Sequence, residues 1–301
     1  MFTRRSFMMT AAAASAAAAA IRPTNSFALP PDDPYLANLG LQLWTVRQLM
    51  AAEPAKTLAA IKAAGYSQVE LMDVMDSDVL VPLAKEQGLK VTSAFIPWNV
   101  IGEENPKNVP TLAMMLDKAT KNGLEHLVFG YIGKGARETA DQFRGIADRA
   151  NAAAEKCRAA NIQMCYHNHS FEFKPLGGGQ TGYDIFIERF DPDMMKFEVD
   201  VFWVAVGGRD PIELIRKLDR RVSQVHLKDV KPNTPVIHDE SEVPADAFQE
   251  VGDGTLDMAA IIDASRKAGV VQCHVEQDQT PDPLASVQQS YEFLEQLQVK
   301  S

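Results

Sequence analysis

The 301-residue chain has few cysteines, few basic residues and no long apolar run. Its three cysteines show no CxxC spacing, which argues against a disulfide framework and predicts buried free thiols at Cys157, Cys165 and Cys273.

Thirty Lys and Arg residues against forty Asp and Glu residues give a formal net charge of -10. Because an acidic surface repels phosphate backbones, we expect no nucleic-acid partner. The Ala-rich N-terminal run is too short and too weakly apolar to predict a membrane span.

The first 28 residues have the pattern of a twin-arginine export signal. Arg4 and Arg5 precede an Ala-rich run, and Ser26 and Ala28 are small residues at the two positions that a signal peptidase reads. We therefore predict cleavage after Ala28, a periplasmic location, and a folded domain that spans residues 29–301. A poly-Ala helix that stays attached is the alternative, but no apolar face or helix cap accompanies the alanines.

Eight short apolar runs alternate with amphipathic helical segments from Leu39 onward. The predicted strands are Leu39–Trp44, Gln68–Met72, Lys90–Ile96, His126–Tyr131, Gln163–His169, Lys196–Val201, Ser223–Lys228 and Gln272–Glu276. Eight strand–helix units predict an α/β fold, a closed (β/α)8 TIM barrel in a single domain. A doubly wound sheet is the rival fold. It needs a glycine-rich phosphate loop after the first strand, and no glycine follows that strand here.

Potential metal ligands stand at the ends of strands five to eight. They are Glu172, Asp200, His226 and Glu276. Because barrel strands present active-site side chains at their C-terminal ends, we expect these four to converge. Three carboxylates and one imidazole favour Mn²⁺, with Mg²⁺ or Co²⁺ as alternatives, over a structural Zn²⁺ site. A single charged residue just past a strand is usually a solvated loop residue, but four in series are hard to explain by packing.

Two histidines lie on strand five. His167 and His169 alternate with Tyr166 and Asn168, so both imidazoles point to the same side of the strand. If that side is the barrel mouth, they are proton-transfer or substrate-binding groups; a histidine hydrogen-bonded in the core is the alternative. The spacing also leaves open whether His169 replaces Glu172 as the strand-five ligand.

Further side chains are candidates for catalysis and substrate binding. Lys228 follows His226 by two residues and shares its face, where it could stabilise an oxyanion or form an ion pair with a carboxylate. The catalytic candidates are therefore His167, His169, Glu276 and Lys228. Indole rings at strand ends suit the apolar face of a sugar. The substrate-binding candidates are Trp44, Glu70, Trp98, Tyr131 and Trp203.

The runs HNHSFEF, FEVDVFW, VHLKD, VGDGTLD and HVEQD resemble the sugar phosphate isomerase/epimerase family of xylose isomerase-like TIM barrels. The resemblance extends from about Leu39 to Leu297. It implies a divalent metal, often Mn²⁺, held by Glu, Asp, His and Glu from strands five to eight. These positions correspond here to Glu172 (provisionally), Asp200, His226 and Glu276.

The chain departs from that family at two positions. In the ketose epimerases a glutamate inside strand five acts as a base, whereas this strand has no acid before Glu172. Those enzymes also carry a histidine three residues after the aspartate, where this chain has Trp203. A histidine base at His167 or His169 therefore fits better. This HNH motif is similar to that of enzymes that act on 3-keto sugars and keto-glycosides.

These patterns predict a metal-dependent isomerase or epimerase that removes a proton next to the carbonyl of an unphosphorylated keto sugar. A lyase or hydratase acting on 3-keto-glycosides is the first alternative, and a non-catalytic periplasmic sugar-binding protein is the second. Phosphodiester cleavage is disfavoured by the acidic charge. The expected partner is a small-molecule sugar, and the sequence leaves open whether the chain forms a homo-oligomer.

Overall fold

The structure, a computed structural model, describes residues 26–28, 33–104 and 106–300. Eight parallel strands, labelled β1 to β8, form a closed barrel in which each strand pairs with its neighbours in sequence and β8 pairs with β1. They are β1 Leu39–Gln42, β2 Gln68–Leu71, β3 Lys90–Phe95, β4 His126–Gly130, β5 Gln163–His167, β6 Met195–Asp200, β7 Val222–Leu227 and β8 Cys273–Val275. The predicted single-domain TIM barrel is thus confirmed.

Most of the observed strands end one or two residues before the predicted end, because a turn or helix begins there. After β1, Leu43–Val46 forms a 3₁₀ helix, and the Gln42 side chain accepts a hydrogen bond from the Trp44 N–H. After β6, Asp200 caps the helix Val201–Val206, which the sequence pattern did not predict. The polar residue at each of these strand ends satisfies a free N–H of the following turn.

Helices connect the strands and cover the outside of the barrel. They are Pro34–Ala37, Arg47–Ala52, Pro54–Ala64, Ser77–Glu86, Asn99–Gly102, Leu112–Lys121, Ala140–Ala159, Gly182–Arg189, Val201–Val206, Pro211–Leu218, Met258–Lys267 and Pro283–Glu295. Gly65 ends the helix before β2 with φ of +116°, a conformation that costs glycine little and that turns the chain back toward the sheet. The three cysteines are buried free thiols, as predicted.

The inside of the barrel is unusually polar. Barrel interiors are normally filled by branched aliphatic side chains. Here the fully buried interior residues include Gln42, Glu70, Ser93, Glu198, Gln224, His226 and His274. Because buried polar groups cost free energy unless they are hydrogen-bonded, this layer needs a continuous network of partners. It lies directly below the C-terminal ends of the strands, where a site is expected.

Two short sheets lie outside the barrel. Ser26–Ala28 pairs with Gln298–Lys300, and Asp229–Val230 pairs with Phe248–Gln249, both antiparallel. Residues 1–25 lie outside the described part of the chain, so the export signal stays a prediction. No helix among the described residues is both long and apolar enough to cross a membrane.

Candidate active site

A cavity of about 620 Å³ opens at the C-terminal ends of the strands. Among the predicted site residues, its lining includes Trp44, Tyr131, His167, His169, Trp203, Lys228 and Glu276. Trp44 is 44% exposed and stacks on the Arg47 guanidinium at 4.5 Å, so its indole is held in place at the cavity. Tyr131 has φ of +54°, a costly conformation for a side chain of its size that turns the chain sharply after β4.

Two predicted substrate-binding residues lie elsewhere. Trp98 is not part of the cavity wall and lies against Gly102 and Gly133. Glu70 is fully buried inside the barrel, where it contacts His226. A position at the end of a strand therefore does not show whether a side chain faces the cavity or lies in the layer below it.

Four potential metal ligands from β5 to β8 come together at the base of the cavity. They are His167, Asp200, His226 and Glu276, all buried, with one donor atom of each within 4.8 Å of the others. His226 Nδ1 lies 3.0 Å from Glu276 Oε2. His167 Nε2 lies 3.9 Å from Asp200 Oδ2. Two imidazoles and two carboxylates at these separations form a mixed nitrogen and oxygen set that fits a divalent transition metal.

Local packing explains how β5 and β6 place these ligands. Asn168 points away from the two histidines that flank it, and its amide exchanges two hydrogen bonds with the backbone of Asp200, at 3.1 and 3.2 Å. This pair fixes the ends of the two strands relative to each other. On the other side, a Cβ added at Gly130 would lie 2.9 Å from the Cβ and the carbonyl oxygen of His167, so only glycine leaves room there.

Asp200 divides its two carboxylate oxygens between structure and site. Oδ1 accepts the Trp203 N–H at 3.0 Å and caps the helix Val201–Val206. Oδ2 is buried and makes no well-aligned hydrogen bond, although Lys228 Nζ lies 3.1 Å away. Because buried polar atoms normally have hydrogen-bond partners, this carboxylate oxygen is suited to bind a metal cation.

The structure does not bring Glu172, the provisional strand-five ligand, into this cluster. The 3₁₀ turn Phe171–Phe173 carries its carboxylate away from the cavity. There it accepts hydrogen bonds from the Tyr166 hydroxyl at 2.5 Å and the His169 backbone N–H at 2.9 Å. Burial raises the pKa of Glu172 to about 7. His167 occupies the position among the ligands that Glu172 was expected to take.

The raised pKa of Glu172 predicts a pH-dependent stability. Because protonated Glu172 is favoured in the folded chain, its stabilising contribution is complete below about pH 4.5 and is lost as the pH rises to about 7. The loss amounts to about 3 kcal/mol. In urea unfolding at pH 5, 6, 7 and 8, Glu172→Gln is expected to lose less stability than the wild type over this range. Parallel curves for the two proteins would contradict this.

Lys228 is surrounded by acids. Its Nζ lies 2.7 Å from Glu276, 2.8 Å from Asp278 and 3.1 Å from Asp200. Burial alone would lower the pKa of Lys228, but these three carboxylates raise it well above its usual value. The ion pair with carboxylates is therefore present, and because the ammonium group also lines the cavity, oxyanion stabilisation stays a prediction.

His169 is the imidazole that lines the cavity but lies outside the ligand cluster. It is half-buried, with its ring centroid 5.2 Å from that of Trp203 and 5.7 Å from that of Tyr131. Its Nδ1 has no hydrogen-bond partner among the described residues. Burial and the nearby Lys228 lower the pKa of His169 to about 3. A neutral imidazole that lines the cavity and is free of hydrogen bonds can accept a proton.

Sequence reasoning missed several residues of the site. Glu198 and His274 lie in the layer below the cavity, while Gln42 and Asp278 line the cavity. A signal was present for the first two, because each precedes a predicted ligand by two residues and so shares its face. Burial and the neighbouring Glu70 raise the pKa of Glu198, and the neighbouring His226 opposes this shift.

A long segment after β7 closes one side of the cavity. Glu240, Ser241, Val243 and Phe248 contribute to the lining. Two ion pairs tie this segment to the loop after β4: Lys134 to Asp239 at 2.7 Å and Arg137 to Glu240 at 2.6 Å. The side chains of the Arg137–Glu240 pair are nearly buried, so water screens their attraction less than that of the exposed Lys134–Asp239 pair.

Comparison with known proteins identifies a protein family whose profile matches most of this chain. A profile described as a xylose isomerase-like TIM barrel matches residues 58–297. The inosose dehydratase of Clostridium tetani is 27% identical over 132 residues, which are 41% of this chain and 42% of that protein. The chain thus matches less than half of the length of this relative.

Solved structures share the fold over most of their length. A sugar phosphate isomerase/epimerase from Parabacteroides distasonis superposes with a TM-score of 0.70 at 22% identity, covering 86% of this chain and 94% of that one. The D-psicose 3-epimerase of Clostridium cellulolyticum superposes with a TM-score of 0.60 at 12% identity, covering 85% of this chain and 98% of that one. Sequence identities this low show only that the fold is shared.

Proposed function

The chain belongs to the xylose isomerase-like TIM barrel family, and on this premise we propose that it is a metal-dependent enzyme acting on a keto sugar or a 3-keto-glycoside. The reaction begins with removal of the proton next to the carbonyl group. The observation that carries this proposal is the buried cluster of His167, Asp200, His226 and Glu276 beside the unpartnered His169.

The protein groups have distinct roles in this proposal. A divalent cation held by the four ligands would polarise the carbonyl and make the adjacent C–H more acidic. His169 accepts the proton on a ring nitrogen, because it lines the cavity beside the ligand cluster without belonging to it. Lys228 donates a hydrogen bond to the oxygen on which negative charge develops. The aromatic rings of Trp44 and Trp203 hold the apolar face of the sugar and exclude water.

Elimination is the outcome that we favour over epimerisation. Epimerisation uses a proton-transfer group on each face of the reacting carbon. Among the described cavity residues, His169 is the imidazole outside the ligand cluster, whereas Glu276 and Asp278 are both ion-paired to Lys228. Elimination needs one such group, because His169 can take the proton from carbon and then give it to the departing oxygen as the C–O bond breaks. The dehydratase relative supports the same choice. Isomerisation through a single base is the second candidate, supported by the isomerase/epimerase neighbour.

The product decides between these outcomes. Metal-loaded protein incubated with a 3-keto-glycoside is expected to release the aglycone, or water from a keto sugar, which mass spectrometry detects directly. A product of unchanged mass would support isomerisation instead. No change in any substrate, with metal bound, would support the sugar-binding protein.

The ligand set narrows the choice of metal. Mg²⁺ prefers oxygen ligands, and two imidazoles make the site less suitable for it than the sequence suggested. We propose Mn²⁺ as the resident ion, with Co²⁺ as the ion most able to replace it. Both accept mixed nitrogen and oxygen ligands.

The substrate is proposed to carry no phosphate. Among the described residues, Lys228 is the one Lys or Arg that lines the cavity, and three carboxylates already surround it. The proposed periplasmic location agrees, because sugar phosphates are cytoplasmic metabolites. We expect kcat/KM for an unphosphorylated substrate to exceed that for its phosphorylated form by about tenfold or more, roughly 1.4 kcal/mol. A preference for the phosphorylated form would overturn this.

A further inference from the structure

We infer that Glu70 and Glu198 are positioning residues which fix the tautomers of the two histidine ligands from the layer below the cavity. Each carboxylate accepts the N–H of the ring nitrogen that faces away from the ligand cluster, so that the other nitrogen presents its lone pair to a metal. This inference rests on the proposed metal site and adds to it a pair of residues that touch neither the metal nor the substrate.

His226 shows the arrangement most clearly. Its Nε2 lies 2.7 Å from Glu70 Oε2, while its Nδ1 lies 3.0 Å from Glu276, a member of the ligand cluster. A neutral imidazole carries its proton on one nitrogen, and the hydrogen bond of that nitrogen determines which one. Donation of Nε2–H to Glu70 leaves Nδ1 free to bind a cation.

His167 has the opposite tautomer, set by the other glutamate. Its Nδ1 lies 3.1 Å from Glu198 Oε2, and its Nε2 points toward Asp200. Donation of Nδ1–H to Glu198 leaves Nε2 as the metal-binding nitrogen. The two ligands thus use different ring nitrogens. Glu70 is the nearer carboxylate to His226 Nε2, at 2.7 Å, while Glu198 Oε2 lies 3.3 Å from that nitrogen and 3.1 Å from His167 Nδ1.

The two carboxylates are themselves held in place. Glu70 accepts hydrogen bonds from the Gln42 amide at 2.8 Å and the Ser93 hydroxyl at 2.5 Å. Glu198 accepts one from the Gln224 amide at 3.1 Å. Neither glutamate lines the cavity, and both are fully buried. Their position excludes direct substrate contact and suits the support of ligands, which explains why the barrel interior is polar.

A second metal ion is the competing explanation for this layer. Glu70, Glu198, His226 and His274 also place donor atoms within 4.8 Å of one another, and neither ring nitrogen of His274 has a hydrogen-bond partner among the residues that the structure describes. An ion there would take His226 Nε2 while the first ion takes Nδ1. Such bridging requires His226 to lose both ring protons, which is costly compared with donating one of them to Glu70.

The inference is tested by metal affinity and stoichiometry. Mn²⁺ binding is titrated by electron paramagnetic resonance for the wild type, Glu70→Leu, Glu198→Leu, and the corresponding Gln variants. The Leu variants are expected to bind one ion per chain with affinity reduced about 10–100-fold. The Gln variants should recover much of this loss, because an amide oxygen still accepts an N–H. Glu172→Gln is the matched control, since it alters a buried glutamate that contacts neither ligand ring and should keep the wild-type affinity.

Several results would overturn the inference. Wild-type affinity in both Leu variants would remove the positioning role while leaving the proposed metal site intact. Two ions in the wild type and one in the Leu variants would establish the second metal instead. An absence of metal binding by the wild type would refute the metal site itself, and the inference with it.

A second measurement uses the wild type, so it does not require any variant to fold. In the zinc-loaded wild type, ¹⁵N NMR with labelled histidine should show His226 protonated at Nε2 and His167 protonated at Nδ1. The reverse tautomer at either ring would contradict the role of its glutamate.

Discussion

Asp200→Ala is expected to release the metal and to lower turnover by about 10³-fold or more, because a metal ion contributes several kcal/mol of transition-state stabilisation. The substitution removes the carboxylate oxygen that makes no well-aligned hydrogen bond at the base of the cavity. Metal analysis of the purified variant and steady-state kinetics measure the two effects.

The control for this variant is Asp210→Ala. Asp200 also caps a helix, and loss of a cap alone costs about 1 kcal/mol of stability. Asp210 caps the helix Pro211–Leu218 through the N–H groups of Ile212 and Glu213, and it belongs neither to the ligand cluster nor to the cavity lining. The Asp210→Ala variant should lose about as much folding stability as Asp200→Ala but keep its metal. Full metal occupancy in Asp200→Ala would refute the site.

His169→Asn is expected to lower turnover by about 10²–10⁴-fold while the metal content stays normal, because general base catalysis contributes an effect of this size. His169 lines the cavity but is not among the four ligands. His167→Asn should instead lose metal, because His167 belongs to the cluster. The two variants therefore separate the roles that the sequence left open between these histidines.

His126→Asn is the control for this pair, since His126 begins β4 at the far end of the barrel. It should keep both metal and turnover. Loss of metal in His169→Asn would make His169 a ligand. Full turnover in the same variant would remove it from the mechanism and leave Glu276 as the candidate base.

The barrel could be predicted from the sequence because its signals are local. Alternating apolar runs and helical segments determine the eight units, and glycines such as Gly65 mark where helices end. Three of the four predicted ligands, Asp200, His226 and Glu276, do converge, because each lies at or next to the end of its strand.

The strand-five ligand could not be predicted because its position depends on a turn. Glu172 and His167 are both close to the end of β5, and only the 3₁₀ turn after the strand sends the Glu172 carboxylate to Tyr166. The layer below the cavity was missed for a different reason. Glu198 and His274 lie inside barrel strands, where aliphatic side chains are the rule, so only the alternation that places them on the ligand face points to a role in the site.

Proton NMR in deuterated water tests the central claim most directly. Metal-loaded protein is mixed with a panel of keto sugars and 3-keto-glycosides, with Asp200→Ala as the metal-free comparison. We expect the C–H next to the carbonyl to exchange with solvent, or product to form from it, only when metal is bound. Metal-loaded wild type that leaves every such C–H unexchanged and every substrate intact would contradict it.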